Sequence, residues 1–225
     1  MGVSTLIIGE PGSGKSTSIR NLNPDETFII NVIGKPLPFK GASRIFKQAK
    51  NKGNVFVSDN FDHVIKCIRA VNERDYFKTL IIDDWQYILA NEFMRRAGET
   101  GYSKFSEMAQ HAWLVINSLQ NTRPDLNCFV LSHSDSDEYG KVRCKTIGKL
   151  LTDKISIEGL FTVVLHCLKT DSGHKFLTNC EGNYLAKSPM GMFEELLIDN
   201  DLSLVKKAID DYYNEDFIEE ENINE

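Results

Sequence analysis

A glycine-rich segment near the start of the chain has the composition of a phosphate-binding loop. Residues 9–16 read Gly-Glu-Pro-Gly-Ser-Gly-Lys-Ser, a full match to the pattern GxxxxGK[ST], and the apolar run TLIIG leads into it. Glycines allow a loop to turn its backbone N–H groups toward phosphate oxygens, and a helix that follows adds partial positive charge. The segment therefore predicts a site for the phosphates of ATP or GTP.

Two side chains of this loop have defined expected roles. Lys15 is expected to reach the β- and γ-phosphates, and the Ser16 hydroxyl to bind Mg²⁺. Glu10, inside the loop, is a weaker catalytic candidate. The expected nucleotide-binding residues are Gly9, Glu10, Pro11, Gly12, Ser13, Gly14, Lys15, Ser16 and Thr17.

Two adjacent acids follow another apolar run, about 68 residues after Lys15. The run Thr79-Leu80-Ile81-Ile82 ends in Asp83 and Asp84, and a nucleotide loop needs such an acid to hold the Mg²⁺ ion. We expect Asp83 to be the magnesium partner. Asp84 is a candidate base or water-orienting group, although it also suits the N-cap of a helix that begins with WQYIL.

A histidine ends the next apolar run, Cys128-Phe129-Val130-Leu131-Ser132. If that strand neighbours the phosphate loop, His133 could sense the γ-phosphate and move the segment behind it. The alternative is an exposed turn histidine within HSDSDEYG. We include His133 with Lys15, Asp83 and Asp84 among the candidate catalytic residues.

The elements that must position these residues alternate between strand-like apolar runs and helix-period segments, a pattern typical of a mainly parallel sheet flanked by helices. Two helices are predicted, one after a cap at Asn60 and one over Lys104–Thr122, each with an apolar stripe. The predicted strands are Ser4–Ile8, Thr27–Val32, Asn54–Ser58, Lys78–Asp83, Cys128–Ser132, Leu160–Leu168 and Lys175–Cys180. The last two are separated by a five-residue turn, which predicts an antiparallel hairpin at one sheet edge.

Charge is distributed unevenly along the chain. Eight acids and no Lys or Arg fall in residues 210–225, so the net charge of −6 leaves +2 for residues 1–209. We expect one α/β domain over residues 1–209, ending in a helix at Leu202–Tyr213, and an acidic, disordered tail over residues 210–225. The tail could compete with DNA, recruit a partner, or only improve solubility.

Cysteine usage and hydropathy bear on the compartment. The five cysteines are scattered without a CxxC pair, which predicts reduced thiols rather than a zinc site or disulfides. We expect no basic-plus-apolar leader, and no apolar run approaches the ~20 residues of a membrane span. We expect a soluble cytoplasmic protein without membrane contact.

Taken together, the segments GEPGSGKST, TFIINVIGKPLPFKG, TLIIDD, FVLSH and YLAKSPMGMF resemble the phage-encoded, core-only RecA-like ATPases, also described as AAA-type phage nucleotide-binding proteins. The resemblance covers about residues 3–195. It implies a P-loop NTPase fold and ATP-dependent assembly of several copies on single-stranded DNA, beside a single-strand-binding protein, in recombination or annealing in the host cytoplasm. The chain departs from this group after Thr27–Val32, where Ile33-Gly34-Lys35 carries no acid.

The resemblance also suggests where DNA would lie. The segment Ser134–Gly148 matches the place where RecA-like proteins hold DNA, and the glycine-punctuated segment Met94–Lys104 is a second candidate. Either segment could instead be a solvated loop. The DNA-binding candidates are Lys141, Arg143, Lys145, Lys149, Arg95 and Arg96. Lys175 and Lys187 are candidates for a basic residue that a neighbouring subunit inserts into the site, although both could be surface lysines.

Two other functions fit the same loop. A small-molecule or nucleotide kinase also begins with such a loop, but the sequence has no compact arginine-rich lid. A nucleotide-dependent assembly scaffold with little turnover would need binding alone. The leading prediction is an ATPase that acts on single-stranded DNA.

Overall fold

The computed structural model describes residues 2–48, 53–147, 151 and 155–223, with the backbone alone from residue 214 onward. The strands are β1 (Ser4–Gly9), β2 (Thr27–Asn31), β3 (Val55–Val57), β4 (Thr79–Asp83), β5 (Asn127–Ser136), β6 (Val142–Cys144), β7 (Val163–Thr170), β8 (Gly173–Leu177) and β9 (Leu197–Asp199). The α-helices are α1 (Ala42–Ile45), α2 (Phe61–Asn72), α3 (Gln86–Arg95), α4 (Ser103–Leu119) and α5 (Leu202–Ile223). Two short 3₁₀ segments lie at Ser16–Asn21 and Ile157–Leu160.

The strands form one sheet in the order β3-β2-β4-β5-β1-β7-β8-β9, and β6 pairs with the outer part of β5. Strands β3, β2, β4, β5, β1 and β7 run parallel to their neighbours in this order. Strand β8 is antiparallel to both of its neighbours, β7 and β9. The prediction of an α/β protein with a mostly parallel sheet flanked by helices is therefore confirmed.

Every residue of β1, β2 and β4 is buried, and each of these strands has an apolar centre, as expected for strands covered on both faces. Successive side chains point to opposite faces, so Leu6 and Ile8 join one core while Ile7 joins the other. Helices α2, α3 and α4 cover the face of the sheet that carries Leu6 and Ile8. The 3₁₀ segment Ser16–Asn21 and helix α5 cover the opposite face, which carries Ile7.

The predicted starts of α2 and α4 agree with the structure to within one residue, whereas α4 ends at Leu119 and not at Thr122. Asn60 caps α2, because its side-chain oxygen accepts hydrogen bonds from the N–H groups of Asp62 and His63. On α4, Trp113 is only partly buried, whereas Lys104 is buried. The Lys104 ammonium donates to the carbonyl of Glu99 at 2.6 Å, which satisfies its charge inside the fold.

The antiparallel hairpin β7–β8 is confirmed, with Thr170 opposite Gly173 at the turn. It does not form the sheet edge, because β9 pairs with β8 on the outer side. None of the three residues of β9 is buried, so no buried apolar run marks this strand in the sequence.

Two other segments differ from the predictions. Ser134–Ser136 pairs antiparallel with β6, so much of the segment predicted as a DNA-binding loop is a β-hairpin. Helix α5 continues to Ile223, farther than Tyr213, where the sequence analysis ended it and placed a disordered tail.

Helix α3 begins directly after the acidic pair at the end of β4. Trp85, the residue between Asp84 and the helix, is fully buried, and its backbone N–H donates to the Leu131 carbonyl of β5 at 3.0 Å. This hydrogen bond fixes the start of α3 to the neighbouring strand. Within the part of the chain that the structure describes, no helix combines the length and apolar character needed to cross a membrane.

Candidate functional site

The glycine-rich loop Gly9–Thr17 lies at the carboxyl end of β1, an interior strand with the parallel neighbours β5 and β7. Lys15 is folded across this loop, where its ammonium donates to the carbonyls of Gly9 at 2.8 Å and Glu10 at 2.9 Å. Only 6% of Lys15 is exposed. Burial lowers the pKa of Lys15 below its ordinary value, although the nearby carboxylates partly offset the effect.

Neighbouring strands support the loop closely. A Cβ atom at Gly9 would lie 2.6 Å from the Cys167 carbonyl oxygen of β7, so the backbones approach too closely for a side chain. Gly14 has φ of +107°, and a Cβ there would lie 2.9 Å from the His174 imidazole. The Cys167 thiol also donates to the Ser13 carbonyl at 3.0 Å. Glycine is therefore needed at both positions for steric reasons.

The segment that follows the loop is not the α-helix that the sequence predicted. Ser16–Asn21 is a 3₁₀ segment, and the Ser18 N–H is shared between the carbonyls of Gly14 and Lys15. The Ser18 hydroxyl also donates to the Lys15 carbonyl at 2.5 Å. This side-chain bond competes with the backbone pattern of an α-helix, which accounts for the tighter turn.

Asp83 reaches the loop across an intervening strand. β5 lies between β1 and β4, and the Ser16 hydroxyl donates to Asp83 Oδ1 at 2.8 Å. Burial raises the pKa of Asp83 to about 6, helped by the charge of Asp84 and opposed by the Ser16 hydrogen bond. The loop and the acid that the sequence singled out are thus brought into direct contact.

The pair Ser16 and Asp83 suits a magnesium ion. Mg²⁺ is usually held by one or two protein oxygen ligands together with phosphates and water, and a hydroxyl beside a buried carboxylate supplies such ligands. Among residues 2–48, 53–147, 151 and 155–223, no three His, Cys, Asp or Glu side chains come together as a metal cluster. Ser16 and Asp83 would thus supply part of the ligand shell of a Mg²⁺ ion, alongside phosphate and water.

Asp84 lies at the centre of a polar network. Its Oδ2 atom is 3.3 Å from the Lys35 ammonium, and its Oδ1 atom is 3.3 Å from His133 Nε2 and 3.5 Å from Gln86 Nε2. The Gln86 carbonyl oxygen accepts hydrogen bonds from the Ser132 hydroxyl and the His133 N–H. Burial opposes ionisation of Asp84, but the His133 hydrogen bond and the Lys35 charge outweigh it and lower the pKa of this carboxyl.

His133 occupies the position that the sequence suggested for a sensor. It lies opposite Gly9 in the parallel pairing of β5 with β1, and its side chain is 16% exposed. Its ring contacts Asp84 on one side and the edge of Tyr87 on another, with ring centroids 5.8 Å apart. The alternative of a solvent-exposed turn histidine does not fit this position.

These residues surround a cleft of about 260 Å³. Several lining residues were not singled out from the sequence as site residues: Lys35, Pro36, Pro38 and His174. Two prolines occur in the segment KPLPFKG, between Gly34 and Gly41, which both have positive φ. Because proline restricts the backbone, this segment could have been recognised as a rigid side of the cleft. No sequence pattern indicated His174, because only the fold brings the start of β8 close to the glycine-rich loop. The lining residues are Pro11, Gly12, Gly14, Lys15, Ser16, Thr17, Lys35, Pro36, Pro38, Asp83, Asp84, His133 and His174.

A second cavity, of about 540 Å³, lies between the glycine-rich loop, the β5–β6 hairpin and β7. His166 of β7 lines it and is 1% exposed, with Nδ1 lacking a hydrogen-bond partner among the described residues. Burial, followed by the charge of Lys15, lowers the pKa of His166 to about 4. The ring packs against Tyr184 at 4.8 Å between centroids, which gives the cavity one aromatic wall.

The predicted DNA-binding residues are dispersed and mostly paired with acids. Arg95 contacts Asp59 at 2.7 Å, and Arg96 contacts Glu92, Glu99 and Glu107. In the β5–β6 hairpin, Arg143 lies 3.6 Å from Asp137, whereas Lys141 and Lys145 are exposed. Lys149 lies outside the described residues.

The two lysines considered for insertion into a neighbouring subunit have structural contacts of their own. Lys175 is paired with Asp199 at 2.5 Å. Lys187 forms two backbone hydrogen bonds with Val164 of β7, each 2.8 Å long. Neither lysine lines the cleft of its own chain. Their predicted role stays a prediction.

A scan against protein-family models gives no match for this chain, and a search of curated protein sequences gives none either. The geometry of the cleft is therefore the main basis for a functional assignment.

Proposed function

We propose that this chain is a P-loop NTPase that binds and hydrolyses ATP and acts on single-stranded DNA. The observation that carries the ATPase proposal is the hydrogen bond between Ser16 and Asp83, because it joins a complete GxxxxGK[ST] loop to a buried strand-end carboxylate. The strand order β4-β5-β1 also supports the ATPase proposal, because it places His133 of β5 between the glycine-rich loop and Asp83.

Three side chains of the cleft have roles in holding the nucleotide and its metal ion. Lys15 neutralises charge on the β- and γ-phosphates, after exchanging its carbonyl partners for phosphate oxygens. Ser16 and Asp83 would hold Mg²⁺, which when bound neutralises charge on the phosphates. Backbone N–H groups of the glycine-rich loop would surround the phosphate oxygens.

Hydrolysis needs an oriented water molecule. Asp84 accepts a hydrogen bond from that water and aims it at the γ-phosphorus, with His133 and Gln86 holding the carboxylate in place. A bond forms between the water oxygen and phosphorus, and the bond from phosphorus to the bridging oxygen breaks. Both protons of the water leave with the phosphate. Because the pKa of Asp84 is lowered, it acts by orientation more than by proton transfer.

The DNA part of the proposal is supported by the resemblance to phage RecA-like ATPases and by exposed groups near the second cavity. Tyr139 at the tip of the β5–β6 hairpin is 82% exposed, and Tyr184 beside the cavity is 40% exposed. Aromatic rings with nearby lysines are typical of surfaces that stack single-stranded bases. Assembly into oligomers and contact with a single-strand-binding protein belong to the same proposal.

One experiment tests the proposal and its alternatives. ATP hydrolysis is measured with no addition, with single-stranded DNA, with duplex DNA and with nucleoside monophosphates. Lys15→Ala and Asp83→Ala are expected to lose about 100-fold or more in rate, because each removes charge stabilisation at the phosphates. Lys66→Ala, in an exposed ion pair on α2, serves as the control.

The outcomes separate the functions. Stimulation by single-stranded DNA alone supports the proposal. Phosphate transfer to a nucleoside monophosphate would identify a kinase, and tight ATP binding without turnover would identify a scaffold. Hydrolysis that no DNA alters would contradict the DNA part.

A further inference from the structure

The segment after β2 brings an unexpected cation to the cleft. The segment Ile33-Gly34-Lys35 carries no acid, and the Lys35 ammonium lies 3.3 Å from Asp84 and 5.4 Å from the centre of the Tyr87 ring. The residue lines the same cleft as Lys15 and Asp83. A positive group therefore faces the place where the terminal phosphate of ATP would enter.

The backbone of Lys35 is held by hydrogen bonds, whereas its side chain is mostly exposed to solvent. Asn31, 5% exposed at the end of β2, donates from its side chain to the Lys35 carbonyl at 2.6 Å and accepts from the Gly34 N–H at 2.9 Å. Asn31 also lies opposite Asp83 in the pairing of β2 with β4. By contrast, the Lys35 side chain is 60% exposed. Only the side chain needs to turn for the ammonium to change partners.

The pair that Lys35 makes with Asp84 is easily exchanged. Ion pairs with an exposed member contribute little to stability, because water solvates the charge almost as well. Lys15 differs, since it is buried and bonded to two loop carbonyls. A triphosphate carries more negative charge than Lys15 and one Mg²⁺ ion neutralise, and among the described residues no arginine lines the cleft.

We propose that Lys35 is a catalytic residue that contacts the terminal phosphate from within the same chain, and that Asp84 holds its ammonium when no nucleotide is bound. This inference rests on the proposed function. Binding of ATP moves the ammonium from Asp84 to the γ-phosphate, which frees one oxygen of Asp84 for the attacking water. ADP lacks this phosphate and leaves the ion pair intact. The additional positive charge at the terminal phosphate then comes from the same chain, and neither Lys175 nor Lys187 of a neighbouring subunit is needed.

The test compares the parent with Lys35→Ala, Lys35→Arg and Lys40→Ala. Lys40 is the matched control, because it is an exposed lysine of the same segment that does not line the cleft. Equilibrium binding of ADP and of a non-hydrolysable ATP analogue, both with Mg²⁺, is measured beside the steady-state rate of ATP hydrolysis.

We expect Lys35→Ala to reduce the preference for the ATP analogue over ADP by about tenfold, because one charged hydrogen bond to the terminal phosphate is lost. The maximal hydrolysis rate should fall by about 100-fold while ADP affinity stays near that of the parent. Lys35→Arg should retain most of the preference, and Lys40→Ala all of it. A purely structural role would instead weaken ADP and the analogue equally.

Other results would overturn the inference. An unchanged preference in Lys35→Ala, or an equal loss of affinity for both nucleotides, excludes contact with the terminal phosphate. A parent that binds but does not hydrolyse the nucleotide removes the proposed ATPase activity, yet the affinity ratio still decides the role of Lys35. A parent that binds neither nucleotide contradicts both proposals. Asp84→Asn gives an independent check, because releasing Lys35 should tighten binding of the analogue but not of ADP.

Discussion

Asp84 holds a backbone conformation that L-residues other than Asn and Asp rarely adopt, with φ of +65°. Successive side chains normally alternate along a strand, but the turn at Asp84 lets both Asp83 and Asp84 line the cleft. The conformation is held by the contacts of the Asp84 carboxylate and by the Trp85 hydrogen bond to Leu131. Local strain at this residue thus serves to place two carboxylates together.

This strain predicts an order of stability among variants at position 84. Asp84→Gly and Asp84→Ala lose the same side-chain contacts, but alanine at positive φ carries a steric penalty that glycine does not. We expect Asp84→Ala to be less stable than Asp84→Gly by about 1 kcal/mol, measured by urea unfolding. Equal stabilities would indicate that the backbone at this residue is not strained.

His166 gives the second prediction at the residue scale, for pH dependence. Its pKa of about 4 in the folded chain is below the ordinary value of about 6.5, so between these values the unfolded chain binds a proton that the folded chain does not. Its contribution to stability is therefore complete above pH 6.5 and lost as the pH falls toward 4. The expected loss is about 3 kcal/mol.

The His166 contribution can be isolated by difference. Asp83, whose pKa is raised to about 6, acts with the opposite sign over the same range, so the parent alone is not informative. We therefore compare unfolding free energies of the parent and His166→Phe at pH 7 and pH 4.5. The parent should lose stability relative to the variant on acidification. Parallel pH profiles would contradict this assignment.

At the scale of elements, the β5–β6 hairpin depends on one buried acid. Glu158 is 6% exposed, and its Oε1 atom accepts a hydrogen bond from the Cys144 N–H at 2.6 Å. Its other oxygen accepts from the Ser156 hydroxyl at 3.2 Å. The hairpin beside the second cavity is thus joined to the 3₁₀ segment that precedes β7.

Removal of this acceptor should loosen the hairpin. Glu158→Ala leaves the buried Cys144 N–H without a partner, and we expect it to lower the free energy of unfolding by about 1–3 kcal/mol. Glu158→Gln keeps an acceptor oxygen and should lose less. Hydrogen exchange at residues 142–144 should accelerate more in Glu158→Ala than in Glu158→Gln. Equal exchange in both variants would indicate that Glu158 does not anchor β6.

The sequence was informative about elements that have strong local patterns. Seven apolar runs correspond to strands, Asn60 indicated the start of α2, and the turn between β7 and β8 indicated an antiparallel pair. Strands β6 and β9 are mostly not buried and depend on pairing with β5 and β8. Their formation is decided by tertiary contacts, which a local pattern does not contain.

In the cleft too, some residues could be predicted from a sequence motif and others only from tertiary contacts. Lys15, Ser16 and Asp83 were predicted to serve one nucleotide site because they belong to a recognisable motif, whereas Lys35 and His174 line the cleft but belong to no such motif. The sheet order, with β5 inserted between β1 and β4, determines which strand ends meet. Side chains from separate segments could therefore be assigned to the cleft only from the fold.

At the scale of the whole molecule, a ligand in this cleft should stabilise the fold. The cleft joins the ends of β1, β4 and β5 with the β7–β8 hairpin, so opening any of them releases the ligand. With Mg²⁺ and a non-hydrolysable ATP analogue at 100 times its dissociation constant, stabilisation should be about 2.7 kcal/mol, which raises Tm by roughly 5–10 °C.

Thermal unfolding of the parent, Lys15→Ala and Lys66→Ala checks this prediction. The exposed Lys66 variant should show the full rise, and Lys15→Ala little or none, because Lys15 lies in the cleft. A rise of equal size in all three proteins would mean that the nucleotide binds elsewhere.

Trp85 gives the molecule an optical probe of its own site. The chain has two tryptophans, and Trp85 is fully buried beside Asp84, whereas Trp113 is partly exposed on α4. The indole N–H of Trp85 has no hydrogen-bond partner among the described residues, so its emission depends on the field of the nearby charges. In a Trp113→Phe background, fluorescence would follow events at Asp84 in real time and without any added label.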